Sequence, residues 1–247
     1  MTVSAETSET NAASFSAHRD DVFARIAGRY DVLCDLFSFG IHRLWKRRMV
    51  ARMAAHRGQV IFDAASGTGD IPLRLLRRGL NTDRKLWVTD LCPQMLAMAQ
   101  RKLAPFSARV KIVERDAENL HQVESESVDL YSMSFGMKIC NRHRVLAEAF
   151  RVLKPGGSFF CLEAAQISPR FLHRAYLRYM DWCLPLIGRI AASGDASAYD
   201  YLLRGVHEFP DQAAFAKELE AAGFRAVRYE NLTLGIVALH EATKPLP

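Results

Sequence analysis

The stretch Ile61-Phe62-Asp63-Ala64-Ala65-Ser66-Gly67-Thr68-Gly69-Asp70 constrains this chain more than any other. A β-rich run over residues 60–64 enters Ser66-Gly67-Thr68-Gly69, and Ile71, Leu75 and Leu76 follow at helical apolar spacing. Glycines at a strand-to-helix turn let a ligand approach the backbone closely. A phosphate loop is excluded, because Asp70 and Ile71 stand where Lys and Ser or Thr would be needed, and an acid there repels phosphate. The dinucleotide fingerprint is incomplete, because Pro72 occupies the position of the third small residue.

From Gln59 onward short β-rich runs alternate with helical ones. The pattern predicts strands over 60–64, 85–89, 110–114, 128–133 and 158–163, with helices over 71–78, 93–103 and 142–153. Lys154-Pro155-Gly156-Gly157 is expected to stop a helix and turn the chain into the next strand. Each parallel connection needs a crossover, so this alternation implies an α/β fold with a doubly wound parallel sheet. A last helix over 211–222 and two runs over 224–231 and 234–240, read as a hairpin, complete the chain. The expected organisation is a disordered tail over 1–17, then a single domain over 18–247. Within it lie an N-terminal helical cap (18–57), a cofactor-binding core (58–166), a helical substrate-side insertion (167–208) and the last helix with its hairpin (209–247).

Acids recur where the strands end. Asp90 closes the second strand about 20 residues beyond the glycines, the place from which a carboxylate accepts hydrogen bonds from ribose hydroxyls. Asp116 follows the third strand, and Ala117 after it leaves room for a ring. Acids without a phosphate binder fit an adenosine cofactor that lacks phosphate and carries positive charge. S-adenosylmethionine has that character, and its carboxylate suits the N–H groups of a glycine turn.

Composition narrows the classes further. With 49% hydrophobic and 24% charged residues over 247, the chain can bury a substantial core. Five scattered cysteines form no C-x-x-C pair, which argues against a zinc knuckle or a disulfide framework and for a reducing cytoplasm. No metal cluster is visible, and His42, His207 and His240 are separated in sequence and read as structural or surface residues. The formal charge is +6, and the clearest basic cluster is His42-Arg43-Leu44-Trp45-Lys46-Arg47-Arg48. No nucleic-acid motif accompanies it. No uninterrupted apolar run approaches a membrane span.

The chain from about Val22 resembles the ubiquinone/menaquinone biosynthesis C-methyltransferases, a class I, Rossmann-like methyltransferase family. The resemblance is carried by Tyr30-Asp31, Ser38-Phe39-Gly40-Ile41-His42-Arg43-Leu44-Trp45-Lys46-Arg47, Gly67-Thr68-Gly69-Asp70, Ser134-Phe135-Gly136 and Leu153-Lys154-Pro155-Gly156-Gly157. Toward the C-terminus, Pro210-Asp211-Gln212, Ala222-Gly223-Phe224, Asn231-Leu232-Thr233 and Gly235-Ile236-Val237-Ala238-Leu239-His240 continue it. LKPGG is common to many methyltransferases; SFGIHRLWKR and the NLT-x-G-x-VALH ending are much more specific.

The resemblance implies a seven-stranded sheet with an antiparallel last strand. It also implies cofactor contacts at Thr68, Asp90, Asp116, Ala117 and Ser134, beside Gly67 and Gly69, with Tyr30 closing over the cofactor. The implied reaction places a methyl group on a ring carbon of a polyprenylated hydroquinone or methoxyphenol. Asp195, Tyr199, Tyr201 and Asn231 match family positions and are candidate pocket groups, with Lys138, Tyr199 and Asp195 as the catalytic candidates.

The sequence departs from the family at two places. Lys138-Ile139 stands where arginine-asparagine is usual, and Glu163-Ala164-Ala165 where Glu-Phe-Ser is usual. Lysine supplies charge without arginine's planar fork, and isoleucine supplies no side-chain hydrogen bond. Three readings therefore stand beside each other: a quinone-precursor C-methyltransferase, a methyltransferase of a specialised aromatic acting on carbon, nitrogen or oxygen, and a non-catalytic scaffold of quinone synthesis. An NAD-dependent oxidoreductase is disfavoured by Pro72. A lipophilic aromatic acceptor would bring the basic helix near residues 43–48, or residues 171–190, to a membrane surface. A homodimer is one option for assembly.

Overall fold

The computed structural model describes residues 23–79, 83–167, 169–191 and 204–247. The 1–17 tail and the pocket candidates Asp195, Tyr199 and Tyr201 lie outside them. A short helical segment over 23–29 leads into α1 (Tyr30–Ser38) and α2 (His42–Ala54). The alternating core follows as β1 (Val60–Ala64), α3 (Asp70–Arg77), β2 (Lys85–Asp90), α4 (Pro93–Leu103), β3 (Val110–Glu114), β4 (Val128–Ser134), α5 (Arg142–Val152) and β5 (Leu153–Ala164). Then come α6 (Arg170–Ala191), a helical stretch over 204–208, α7 (Gln212–Ala221), β6 (Arg225–Leu232) and β7 (Val237–Thr243).

The seven strands form one sheet in the order β3-β2-β1-β4-β5-β7-β6. The first five pair in parallel, while β7 runs antiparallel to both β5 and β6. The chain builds outward from β1 to β3 and then returns to place β4 beside β1, so the crossover direction reverses between those two strands. In an open α/β sheet, ligands bind outside the carboxyl ends of strands at such a point.

Apolar side chains pack on both faces. On one, Met49 and Met53 of α2, Leu75 of α3 and Leu103 of α4 meet Ile61, Leu86 and Phe160 of the sheet. On the other, Leu146 of α5 and Phe215 of α7 cover an aromatic row set by strand register. There Trp87, Phe62, Tyr131 and Phe159 are direct partners on β2, β1, β4 and β5, with centroids 6.0, 5.6 and 5.7 Å apart. Directly opposed aromatic pairs stabilise a sheet beyond the area they bury.

The LKPGG segment differs from the expectation of a turn before the strand. β5 begins at Leu153, opposite Val128, and pairing resumes at Ser158 opposite Leu130, so the extra residues form a bulge within the strand. Asp129 anchors it: its carboxylate accepts from Lys154 Nζ at 2.8 Å and from the backbone of Gln59 and Val60. The helical pattern ends where expected, but the strand starts five residues earlier because β4 offers it edge hydrogen bonds.

Candidate active site

At the carboxyl ends of β1 and β4 the backbone leaves the sheet through left-handed residues. Ala65 (φ 47°) and Phe135 (φ 60°) are both non-glycine, and such conformations persist only where surrounding structure holds them. Gly67 and Gly69 also have positive φ, for different reasons. At Gly69 a Cβ would meet Ala99 and Leu103 of α4 at 3.1 and 3.2 Å, so this glycine seats α3 against α4. At Gly67 the space is open, the nearest atom being a Tyr30 ring carbon at 4.0 Å. Gly67 thus faces the site, whereas Gly69 faces the helix layer.

Two adjoining hollows open around this turn. The smaller, about 70 Å³, is bordered by Asp90, Asp116, Ala117, Met95 and Ile139. The larger, about 380 Å³, lies beneath α1, α2 and α6 and is mainly apolar, with Phe37, Trp45, Ile71, Tyr176, Met180 and Val237 in its wall. Tyr30, Ala65, Gly67, Ser134 and Phe135 line both. They form the partition between an acidic hollow and a greasy one.

Asp90 is fixed by two backbone donors, Gly67 N at 2.8 Å and Cys92 N at 2.9 Å. Its carboxylate therefore ties the glycine turn to the end of β2. Asp116 accepts from Glu118 N at 2.9 Å, which shapes the turn after β3. The Ser134 hydroxyl oxygen is buried without a hydrogen-bond partner, and it sits in the partition. A buried hydroxyl left this way costs free energy unless something joins it.

Asp63, Lys46, Asp70 and Lys138 of the larger hollow are placed by tertiary contacts. Asp63 is 1% exposed and accepts a 2.5 Å hydrogen bond from Ser132 Oγ. Burial pushes its carboxyl up to about 7, against that hydrogen bond and the attraction of Lys46. Lys46 is itself buried and donates to Asp70 Oδ2 at 2.9 Å, with Arg74 on the other oxygen at the same distance. Burial opposes ionisation of Asp70, but Lys46 and Arg74 outweigh it and hold its carboxyl at about 2. Lys138, in the short 3-10 turn after β4, donates to Glu163 Oε1 at 3.0 Å and to the Phe135 carbonyl at 2.6 Å.

The chain matches the model of the ubiE/COQ5 methyltransferase family over residues 11–244. The chain belongs to this family. It is 40% identical over 239 residues to the mitochondrial 2-methoxy-6-polyprenyl-1,4-benzoquinol methylase of Schizosaccharomyces pombe, covering 91% of this chain and 78% of the relative. It is also 40% identical over 226 residues to a ubiquinone/menaquinone biosynthesis C-methyltransferase of Cereibacter sphaeroides, covering 90% and 89%. Among solved structures it resembles a methyltransferase of Thermotoga maritima titled a possible histamine N-methyltransferase. The TM-score is 0.64 and the identity 18%, covering 92% of this chain and 99% of the other. At that identity the likeness speaks for the fold alone, a class I methyltransferase sheet.

Within this methyltransferase the sequence-expected residues divide. Gly67, Asp90, Asp116, Ala117, Ser134 and Tyr30 all border the two hollows. Thr68 lines the larger one, but its hydroxyl is engaged: it donates to Asp31 Oδ1 at 2.7 Å and accepts from Lys102 Nζ at 2.7 Å. Lys102 also pairs with Asp31, so these three groups latch α1 onto the turn. Lys138 borders the larger hollow and Ile139 the smaller, so the two residues that replace arginine-asparagine face different compartments. Asn231 does not border either; its side chain accepts from Gln212 Nε2 at 2.9 Å on the far side of β6 and β7.

The histidines separate as well. His207 pairs with Asp181 at 3.0 Å. His240 is buried, bonded through Nε2 to the Gln212 carbonyl, and burial lowers its imidazole to about 4, so it is neutral packing. His42 differs, because it lies in the wall of the larger hollow. The basic cluster proves two-sided: His42 and Lys46 turn inward, while Arg43, Arg47 and Arg48 stay outside. Among the described residues no group of His, Cys, Asp and Glu is placed to hold a metal, and no helix is long and apolar enough to cross a membrane.

Sequence reasoning missed Asp63, Lys46 and Trp45 as site residues. Trp45 donates to Thr233 Oγ1 at 2.8 Å, which joins SFGIHRLWKR to the NLT segment. The only prior signal was that these two stretches were the most family-specific ones. They converge on one cavity.

Proposed function

We propose that this chain binds S-adenosylmethionine across the partition and transfers its methyl group to a ring carbon of a hydroquinone or related phenol held in the larger hollow. One observation carries the reading: the two family-specific segments, 38–47 and 231–240, meet in the wall of the apolar cavity beside the acidic hollow. Asp90 and Asp116 suit the ribose and adenine of the nucleoside, and Ala117 leaves the ring room. The open approach at Gly67 and the orphaned Ser134 hydroxyl fit a ligand with polar atoms along the partition. When bound, the cofactor supplies an electrophilic methyl group on a sulfonium. The chain's own task is to hold the acceptor ring near that position, exclude water and favour the phenolate. The names of the quinone-pathway relatives support this acceptor class.

Calorimetry tests the donor half. S-adenosylmethionine or its demethylated product should bind the wild type, and Asp90→Ala should weaken binding by at least tenfold. Equal binding by both proteins contradicts the assignment.

Phe39 and Tyr179 belong to the cavity wall yet are 75% and 42% exposed, and Val32, Leu44 and Trp182 are exposed on the same three helices. Arg43, Arg47 and Arg48 are exposed on α2, and basic and apolar side chains together give these helices the character of a reversible lipid-contacting face. Such a face would let a lipophilic acceptor enter from a membrane.

A further inference from the structure

The end of α1 and the start of α2 hold one imidazole in a single tautomer. Ser38 Oγ donates its only proton to the Cys34 carbonyl at 2.7 Å. Toward His42 Nδ1, also at 2.7 Å, that oxygen can therefore only accept. His42 must carry its hydrogen on Nδ1. The His42 backbone N–H points to the same oxygen at 3.3 Å, and Asp35 Oδ1 lies 3.7 Å from Nδ1, an arrangement that favours the same placement. The tautomer thus follows from the hydrogen-bond network.

A neutral ring protonated on Nδ1 presents a lone pair on Nε2. Every hydrogen bond this ring makes to a described residue uses Nδ1. The residue is only 7% exposed, yet it belongs to the wall of the apolar cavity. Burial and the Lys46 ammonium disfavour its protonation and outweigh Asp35 and Asp70, which act the other way; Arg43 sides with Lys46. The imidazole is held below its ordinary value and is neutral at pH 7.

We propose that His42 is the general base of this methyltransferase, taking the acceptor's phenolic proton on Nε2, with Ser38 as its positioning residue and Lys46 as the cation facing the phenolate. The proposal rests on the phenolic acceptor read above. The O–H bond breaks as its proton passes to Nε2, and the oxygen electron pair raises the electron density of the ring carbon. That carbon forms its new bond to the methyl group while the S–CH3 bond breaks and its electron pair stays on sulfur. The resulting dienone loses its ring proton to water, and His42 returns its proton to the oxygen. The net products are methylated phenol, neutral thioether and one proton.

Two measurements test this. Nitrogen-15 NMR of the wild-type protein, assigned by comparison with His42→Asn, should show His42 protonated on Nδ1 alone at pH 7, titrating below the ordinary histidine value. Asparagine at position 42 keeps a donor toward Ser38 but lacks the base. Its kcat with a short-chain prenylated methoxyhydroquinone should fall about 10²- to 10⁴-fold at pH 7, with cofactor binding unchanged. The deficit should shrink toward high pH and with a ring-fluorinated hydroquinone that ionises unaided. Proton on Nε2, an imidazolium at pH 7, or a deficit independent of pH and acceptor acidity overturns the proposal. If the wild type methylates no hydroquinone, the functional reading fails, and the NMR result still decides the state of His42.

Discussion

Asp63 sits at the end of β1, where burial holds its carboxyl at about 7, above the ordinary value it regains on unfolding. Between roughly pH 4 and 7 the folded state binds this proton more tightly than the unfolded state does. Its contribution to stability is therefore greatest at low pH and is lost as pH rises through 7. Asp63→Asn retains an acceptor for Ser132 and abolishes the titration. Urea unfolding from pH 5 to 8 should show the wild type losing about 2 to 3 kcal/mol relative to this variant. Parallel curves would mean that Asp63 is ionised throughout. Asp90 and Asp116 were legible in the sequence because strand-end position alone places them. Asp63 was not, since nothing in Phe62-Asp63-Ala64 records that Ser132 of β4 would lie opposite. His42 and Lys46 were hidden for a similar reason. They look like members of a surface basic run until α2 packs and turns every third or fourth residue inward.

The turn after β4 and the end of β5 are joined by Lys138 and Glu163, whose side chains are 7% and 1% exposed. Glu163 also accepts from the backbone N–H of Lys138 and of Ala164, so one carboxylate organises both segments. Removing one partner leaves the other charge buried, which is costlier than removing both. Lys138→Met should cost about 3 kcal/mol in denaturant unfolding, and Lys138→Met with Glu163→Gln should cost less than the sum of the singles. Strict additivity would show that the two groups do not interact. The alternation of apolar runs marked the five parallel strands, and the terminal hairpin was readable from its two β-rich runs. The bulge in LKPGG was not, because glycine and proline mark a break without saying whether β4 continues to pair across it. Asn231 was misplaced by analogy, since its register on β6 turns it toward Gln212 of α7.

At the scale of the molecule, a doubly wound sheet supplies the acidic hollow at its switch point, and the helices outside the alternation supply the apolar one. α1, α2 and α6 roof the larger hollow, whose wall includes the exposed Phe39 and Tyr179, and Leu44 and Trp182 are exposed on α2 and α6. Liposomes containing anionic lipid should therefore float the protein at low salt and release it at high salt, and Leu44→Glu should weaken flotation several-fold. No flotation at low salt contradicts a lipid-facing mouth. The lining of the acidic half was readable from spacing along the chain, because glycines and acids at strand ends have fixed places in such a sheet. The lining of the apolar half was not, because residues 38–47 and 231–240 become neighbours only in the folded protein. Whether these halves serve one reaction is best decided by transfer of a labelled methyl group from S-adenosylmethionine to a prenylated methoxyhydroquinone, with the product analysed by carbon NMR. Label is expected on a ring carbon. Label on oxygen, or no transfer by protein that binds the cofactor, would contradict C-methylation at this site.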